Sequence, residues 1–373
     1  MSRAETLINQ NAIAEKLNLS IATVSRALRN QSGIHPATRS KVIEVAAQMG
    51  YRPLRNRQSK QADATAGQIG IFIRSLHRGI RPFYLDGMLN LAGQLKISLV
   101  LNHTPLPLKD AELLMEPAHQ PAALRDGTLN GVILVHRWPA AVVQYLSERL
   151  PCVSIVHSVP GLLIDTVSMD HTKGMSLLVR HLFDLGHRRI AYFGLNGEVT
   201  WSKSLYGGYA QALCELGLPM DPSIVIPVSA QQLEDRLAHW GDEVDQAAGL
   251  VRDGGVTAFV SSSHWVASVL CRGLAERGVN VPGDVSVTGF DDMDPMGVEG
   301  IKITSTRVPG EAMGAEALRR VLARIVEPSL PAQTALFSCA LIEGDSTTPP
   351  RDNGNGAAKH SKGAGRARTA AAK

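Results

Sequence analysis

Residues 19 to 28 read Leu19-Ser-Ile-Ala-Thr-Val-Ser-Arg-Ala-Leu28, and their side chains divide by angle as those of an α-helix do, at about 100° per residue. Val24, Ala27 and Leu28 fall on one side, where they can pack into a small core. Ser20, near the start of the run, is a favoured N-cap for the helix that follows it. The opposite side consists of Ile21, Ala22, Ser25, Arg26 and Arg29. The pattern predicts an amphipathic helix with a polar, basic face.

Two further helical segments flank this run. The first extends from about Gln10 to Leu17, with Asn9 available as its N-cap. The other starts at Pro36, a favoured first position, and stops at Gly50. Both segments carry apolar residues at helical spacing. Residues 1–51 are therefore predicted to form an all-α helix-turn-helix headpiece.

The charge of the chain is unevenly distributed. The net charge of the 373 residues is only +4, but residues 1–60 hold ten basic and three acidic residues. Residues 351–373 hold six basic residues and one acidic residue, so the part between them is acidic. A compact basic end on an acidic body is typical of proteins that bind a polyanion. A membrane surface is the rival partner, but no strongly amphipathic basic helix with bulky aromatic residues supports it.

Composition excludes several classes of protein. With 44% hydrophobic and 19% charged residues, the chain is neither mainly disordered nor fibrous. Its length predicts at least two domains, and the lack of a long apolar run predicts a cytoplasmic protein without membrane contact. The four cysteines form no Cys-x-x-Cys pair, and no phosphate-binding loop or metal motif occurs. No cofactor or metal is expected.

The rest of the chain alternates short β-rich runs with segments of helical length. This alternation predicts an α/β body of doubly wound parallel sheets in residues 67–350, arranged as two lobes with a ligand cleft between them. Residues 52–66 are a basic linker, and residues 351–373 are predicted to be a disordered basic tail. The β-rich runs are Ile69 to Ile73, Ile97 to Leu101, Val132 to Val135, Cys152 to Val156, Ile190 to Phe193, Ala258 to Val260 and Val285 to Val287.

Two other functional classes compete with nucleic-acid binding. A hydrolase is suggested by Gly344-Asp-Ser346, but no Ser-His-Asp arrangement can be inferred from scattered residues. A solute-binding protein would account for the α/β body. It would not account for the basic headpiece.

The quoted helix resembles the headpiece of lac-repressor-type (LacI/GalR) transcription regulators, together with Thr38-Arg-Ser-Lys-Val-Ile-Glu-Val-Ala46 and Gly50-Tyr-Arg-Pro53. Further segments resemble the periplasmic-binding-protein-like core of that family. The resemblance implies a homodimer that binds an inverted-repeat DNA operator, most often as a repressor, and responds to a small molecule. These segments are Arg81-Pro-Phe-Tyr84, Leu185-Gly-His-Arg-Arg-Ile-Ala191, Val281-Pro-Gly-Asp-Val-Ser-Val-Thr-Gly-Phe-Asp-Asp292 and Ile303-Thr-Ser-Thr-Arg307.

The resemblance assigns roles to several headpiece residues. Ile21 and Ala22 match the pair that sets sequence specificity, and Arg26 matches an arginine that reads guanine. In the linker, Asn56 occupies the position of a leucine that the family wedges into the minor groove, and Leu54 is a candidate substitute. For the polar face of the helix, the alternative interpretation is that it is an ordinary surface exposed to water. The predicted DNA contacts are Ser20, Ile21, Ala22, Thr23, Ser25, Arg26, Arg29, Leu54, Arg55 and Arg57.

The resemblance also implies positions for an effector. Three family anchors are replaced: an arginine by Leu205, an acid by Val156, and an Asn-Asp pair by Ser263-His264. A carboxylate beside an aromatic ring suits a polyhydroxylated ligand, so a sugar or another small polar metabolite is expected. Core packing, or capping of a turn by Asp291, is the alternative role. The predicted effector contacts are Phe83, Tyr84, His157, Asp170, Trp201, Leu205, Ser263, His264, Trp265 and Asp291.

Overall fold

The computed structural model describes residues 10–28, 34–49, 68–74, 84–104, 108–234, 238–292 and 300–351. The chain divides into two compact units. Within the described residues, no helix combines the length and the apolar character that a membrane span requires. The first unit comprises Met1–Ser75, Leu89–Val153 and Leu318–Leu330, and the second comprises Leu76–Met88, Ser154–Ala317 and Pro331–Lys373.

The headpiece consists of three helices, as predicted. They are α1 (Gln10–Leu17), α2 (Ile21–Leu28) and α3 (Pro36–Gln48). Asn18 makes the tight connection between α1 and α2 with a φ of 50°, a left-handed conformation that asparagine tolerates. The predicted cap Asn9 and the predicted stop Gly50 lie outside the described residues. The small core between the helices contains Ile13, Ala14, Val24, Ala27, Val42 and Ala46.

The first unit contains a parallel sheet centred on one strand. Strand β1 (Gln68–Ile73) pairs in parallel with β2 (Ser98–His103) and with β3 (Leu129–Val135). In this register, Ile73 lies opposite both His103 and Val135, so the three carboxyl ends come to one edge. The helices that follow these strands are α4 (Tyr84–Leu95), α5 (Ala122–Arg125) and α6 (Ala140–Ser147), and the residues of α4 up to Met88 belong to the second unit. Strand β4 (Cys152–Ile155) comes next in the chain.

The second unit contains a four-stranded parallel sheet. Its strands are β6 (Ile190–Leu195), β7 (Val225–Pro227), β8 (Ala258–Ser261) and β9 (Ser286–Thr288), in the order β7-β6-β8-β9. Three helices, α7 (His171–Asp184), α8 (Thr200–Glu215) and α11 (His264–Glu276), pack closely with these strands or with one another. The remaining helices are α9 (Ala230–Glu234), α10 (Gly241–Arg252) and α12 (Gly310–Val326), of which α12 belongs to this unit as far as Ala317.

Two further strand pairings lie in the second unit. Strand β5 (Asp165–Met169) is parallel to β11 (Thr334–Phe337), and β10 (Ser305–Arg307) is antiparallel to β12 (Ala340–Ile342). The end of the described chain is held by a buried histidine, because His187 is hydrogen-bonded to the Ser286 hydroxyl and to the Thr348 carbonyl. Strand β5 is followed in the chain by α7, β6 by α8 and β8 by α11, and Asp291 comes three residues after the end of β9. Most of the predicted effector residues of this unit lie at the starts of these helices or just before them.

Candidate functional site

The side chains of α2 divide into a buried set and an exposed set, as the sequence predicts. Val24 is fully buried and Ala27 is almost fully buried, because both pack into the headpiece core. Ile21 is 51% exposed, although a large apolar side chain would normally be covered. Ala22 and Arg26 are also exposed. The helix therefore presents apolar and cationic groups together, which suits the methyl groups, acceptors and phosphates of a DNA major groove.

Two of the predicted DNA contacts, Ser20 and Thr23, are hydrogen-bonded to each other at the start of α2. The Ser20 hydroxyl accepts a hydrogen bond from the backbone N–H of Thr23 over 3.1 Å, and the two hydroxyls are 2.8 Å apart. Ser20 is thus the N-cap that the sequence predicts. It is exposed at the N-terminus of the helix, which is the positive end of the helix dipole. Ser25 is half-buried on α2, and the remaining predicted DNA contacts, Arg29, Leu54, Arg55 and Arg57, lie outside the described residues.

In the second unit, three predicted effector residues converge on a cysteine that the sequence did not single out. Burial, followed by the charges of Asp170 and Asp291, raises the pKa of the Cys339 thiol to about 12. Burial also raises the pKa of Tyr84 above its ordinary value, and Asp291 and Cys339 contribute. We call these four residues the Tyr84 cluster. It combines an aromatic hydroxyl, a thiol and two carboxylates, which can bind hydroxyl groups of a ligand.

Phe290 forms the apolar neighbour of the Tyr84 cluster. A Cβ atom placed on Gly174 would lie 2.7 Å from the Phe290 ring and 3.3 Å from the Cys339 sulfur. Only glycine therefore lets α7 approach both groups this closely. The Phe290 carbonyl accepts a hydrogen bond of 2.5 Å from the backbone N–H of His264, which ties the start of α11 to the same region.

Asp291 has an unusual backbone conformation. Its φ is 54°, in the left-handed region that residues other than glycine rarely adopt. Its N–H donates to the Thr306 hydroxyl over 3.2 Å, and the N–H of the next residue, Asp292, donates to the Thr306 carbonyl over 2.9 Å. An ion pair of 3.0 Å joins Asp292 to Arg307. These contacts hold the turn while the Asp291 side chain remains half-buried.

Asp170 has a structural task in addition to its place in the Tyr84 cluster. It is the N-cap of α7, and its side chain accepts a hydrogen bond of 3.0 Å from the backbone N–H of Lys173. The Lys173 ammonium lies 3.4 Å from the same carboxylate but is largely exposed, so its attraction is screened by water. The cap fixes the orientation of the carboxylate beside the cluster.

The other predicted effector residues have varied environments. Leu205 is fully buried in α8 and offers no surface to a ligand. Ser263 caps α11 by accepting from the N–H of Val266, and Trp265 packs edge-on against Trp240 with ring centroids 5.4 Å apart. His264 is buried, whereas Trp201 and His157 are half-buried. Phe83 lies outside the described residues.

A buried histidine beside the Tyr84 cluster leads to a prediction about acid stability. His171 stacks on Phe290 with ring centroids 5.8 Å apart, and burial, opposed by Asp170, lowers its pKa to about 4. Between about pH 6.5 and pH 4, the unfolded chain binds a proton at this residue that the folded chain does not. The free energy of unfolding should therefore fall as the pH falls through this range. His171→Gln should remove this part of the decrease in urea titrations, and parallel pH profiles for both proteins would contradict the assignment.

Two family models match separate parts of the chain. One, described as bacterial regulatory proteins of the lacI family, matches residues 11–54, which include all of α2. The other, a periplasmic binding protein-like domain, matches residues 179–347, which include Asp291 and Cys339. The two matches together cover more than half of the chain.

The chain belongs to the lacI family of bacterial regulatory proteins. It is a DNA-binding transcription regulator with a periplasmic-binding-protein-like α/β domain.

Curated relatives of this lacI-family chain are transcriptional regulators, and the match extends over most of their length. The HTH-type transcriptional regulator DegA of Bacillus subtilis is 28% identical over 317 residues, which cover 82% of this chain and 88% of DegA. The HTH-type transcriptional regulator GalR of Escherichia coli is 26% identical over 352 residues, which cover 91% of this chain and 95% of GalR. The headpiece and the α/β body therefore occur together in these relatives, as they do here.

Solved structures of similar fold include two complexes. The transcriptional regulator CelR in complex with cellobiose matches with a TM-score of 0.61 and 21% identity, over 91% of this chain and 99% of CelR. The lac repressor dimer bound to operator and the anti-inducer ONPF matches with a TM-score of 0.59 and 21% identity, over 92% of this chain and 100% of the repressor. At 21% identity, these structural similarities establish the fold alone.

Sequence reasoning missed Cys339, Phe290 and His171 as members of the site. Phe290 stands inside the quoted Gly-Phe-Asp-Asp segment, directly before Asp291, and its position offered a signal. Cys339 offered none, because it is an isolated cysteine close to the short strand β12 and reaches the site only through the fold.

Proposed function

We propose that this regulator binds an inverted-repeat operator as a homodimer, acts as a repressor, and is modulated by a small polar metabolite bound at the Tyr84 cluster. The observation that carries the proposal is the exposed face of α2, where Ile21, Ala22 and Arg26 stand over a closed core. A recognition helix in this position contacts the bases of one half-site. A dimer matches two half-sites related by inverted symmetry.

The solved complexes support both parts of this proposal. One related structure is a dimer bound to operator, and another holds cellobiose. In this chain, the carboxylates of Asp170 and Asp291 can accept hydrogen bonds from the hydroxyl groups of such a ligand, beside the ring of Phe290. A sugar or sugar derivative fits this combination of groups.

The geometry gives no support to a hydrolase that uses Ser346. This serine is fully buried, and its hydroxyl accepts a hydrogen bond from the N–H of Thr304 while donating one to the Val287 carbonyl. Both contacts belong to the packing of the second unit. A nucleophile would need access to substrate and an adjacent base.

The test of the proposed function is selection of binding sites from random DNA, followed by a footprint over the region upstream of the gene. We expect a protected inverted repeat that is bound by two chains in sedimentation experiments. Repeating the footprint with fractionated cell metabolites should identify the fraction that changes protection. Selection of single half-sites bound by one chain, or of no sequence at all, would contradict the proposal.

A single substitution should separate effector response from DNA binding. We expect Asp291→Asn to leave operator affinity unchanged without metabolite and to weaken the response to the active fraction by about tenfold or more, because a carboxylate that accepts hydrogen bonds contributes about 1.5 to 3 kcal/mol. Asp253→Asn, at an exposed carboxylate at the end of α10, is the matched control. A normal dose response in Asp291→Asn would remove this residue from the site.

A further inference from the structure

A groove of about 290 Å³ lies at the amino end of the four-stranded sheet in the second unit. It is lined by Ile190, the first residue of β6, and by Ile224, which directly precedes β7. Leu213, near the end of α8, also lines the groove, and we call the site the Leu213 groove. Its volume is close to the lower limit of the pockets that bind small molecules.

The Leu213 groove is separate from the Tyr84 cluster and from the other predicted effector residues. The predicted effector residue Trp201 lies at the start of α8, twelve residues before Leu213. At a rise of about 1.5 Å per residue, the two positions are about 18 Å apart along the helix axis. Asp291 follows the carboxyl end of β9, whereas the groove lies at the opposite end of the same parallel sheet. The groove is therefore a second candidate site in this unit.

Most of the lining of the Leu213 groove is apolar. Leu213 and Ile224 are almost fully buried, Leu218 is half-buried, and Pro219 is exposed. The next residue, Met220, is 43% exposed, so the loop between α8 and β7 adds further apolar surface beside the groove. An apolar group that covers this surface removes it from water, which favours binding.

An ion pair at the Leu213 groove is fixed by hydrogen bonds. The Arg189 guanidinium donates from Nε to the Gly254 carbonyl over 2.7 Å and from Nη2 to the Asp221 carboxylate over 2.8 Å. Asp221 also accepts from the Ser223 hydroxyl over 2.5 Å and from the Ser223 backbone N–H over 3.0 Å. These bonds from Ser223, followed by the contact with Arg189, lower the pKa of Asp221. The carboxylate therefore stays ionised and balances the charge of Arg189.

Arg188 adds a positive charge that this pair does not balance. Its Nη1 donates to the Phe183 carbonyl over 2.8 Å and to the His187 carbonyl over 2.9 Å, and its guanidinium carbon lies 3.9 Å from the centre of the Phe183 ring. The residue is nevertheless exposed. Among the described residues that line the groove, two are arginines and one, Asp221, is acidic. The lining therefore carries a net positive charge, and Arg188 is ordered before a ligand arrives, which reduces the entropy lost on binding.

We propose that the Leu213 groove binds a small amphipathic carboxylate, with its apolar body against Leu213, Leu218 and Ile224 and its carboxylate beside Arg188. The planar guanidinium matches a carboxylate, and the net positive charge disfavours an ammonium group. This inference goes beyond the proposed function and does not rest on it, because the groove uses neither α2 nor the Tyr84 cluster.

The test is a titration of the full-length chain with phenylacetate, followed by the NMR signals of the ligand. We expect saturable binding of phenylacetate. Phenylethanol, which keeps the ring but has no charge, should bind about two- to fivefold more weakly, the range expected for an ion pair that is open to water. Acetate, which has the charge but no apolar body, should show no saturation. Absence of saturable phenylacetate binding would overturn the inference.

Two substitutions separate the charged contact from the apolar one. Arg188→Met should weaken phenylacetate binding by about two- to fivefold and leave phenylethanol binding unchanged, because only the charge is lost. Leu218→Ala should weaken the binding of both probes by a similar factor, since it removes apolar contact. Arg272→Met, at an exposed arginine of α11 that does not line the groove, is the matched control and should bind both probes normally. If Arg188→Met weakens neither probe, or weakens both alike, the site does not recognise a carboxylate.

A further variant locates the bound probe. Asp291→Asn should bind phenylacetate as the wild type does, and weaker binding would place the probe at the Tyr84 cluster and overturn the inference. Calorimetric unfolding reports the folding of each variant. Because the Arg188 side chain is exposed, Arg188→Met should unfold as the wild type does, so the charge test decides the result even if Leu218→Ala fails to fold. Failure to select an operator would contradict the proposed function only.

Discussion

Arg26→Ala should weaken binding to the selected operator by about 5- to 150-fold, corresponding to about 1 to 3 kcal/mol, and should relax the preference at one G·C pair in each half-site. The residue is exposed on α2, one turn after Ala22, on the face opposite the buried Val24. A good bidentate contact to a base edge is worth about 1 to 3 kcal/mol of discrimination against the wrong base. The measurement is a titration of the protein against the selected operator and against operators changed at single base pairs.

Lys16→Ala is the matched control for the loss of one positive charge. Lys16 is exposed on α1, within the same small bundle. Removal of a lysine that contacts only phosphates should weaken binding to every sequence by the same factor and reduce the salt dependence. If Arg26→Ala also affects all sequences equally, the residue does not read a base, and α2 is not the recognition helix in the sense proposed.

Gly87→Ala should destabilise the protein by about 3 kcal/mol and impair the effector response. A Cβ atom on Gly87 would lie 1.8 Å from the Glu311 carbonyl oxygen and 2.6 Å from its carbon, so backbone rather than a flexible side chain would have to move. The approach is reciprocal, because a Cβ atom on Gly314 would lie 1.9 Å from the Tyr84 carbonyl oxygen. Overpacking of this kind costs about 1 to 3 kcal/mol or more. Tyr84 stands one turn before Gly87, and its position should shift with the helix.

Gly93→Ala tests the same chemical change on the same helix without the clash. No atom lies within 4 Å of a Cβ placed on Gly93. Alanine is favoured over glycine in a helix interior by about 1 kcal/mol, so this variant should be as stable as the wild type or more stable. Thermal unfolding by calorimetry compares the three proteins. An unchanged transition in Gly87→Ala would show that α4 and α12 do not pack as closely as described.

The headpiece could be predicted because its structure is local. Each of its helices is specified by apolar spacing over eight to thirteen residues and by start signals such as Ser20 and Pro36. The predicted and observed bounds of α1 coincide, and the burial of Val24 and Ala27 follows directly from their angle on α2. Interactions within one turn or between adjacent turns decide these features, and they can be read from consecutive residues.

The sheets could be predicted in part. All seven β-rich runs lie in or overlap a strand of the structure, because buried parallel strands are short runs of apolar residues. The runs did not include β5, β7, β10, β11 and β12. Strand β5 has polar side chains at three of its five positions although all five residues are buried, and it pairs with β11. The Asp165 carboxylate, which accepts a hydrogen bond of 2.7 Å from the N–H of Gln333, secures that pairing across 168 positions of the chain.

The amino-acid sequence alone was sufficient to predict a basic recognition helix, an acidic α/β body and the family to which both belong. Each of these depends on periodicity, charge or short motifs along the chain. The composition of the Tyr84 cluster depends on distance in space instead. Cys339 lies near Asp170 and Asp291 because the second unit folds together segments that are far apart along the chain. Strand pairing and helix packing bring together residues dozens of positions apart, and no local pattern records which of them will meet.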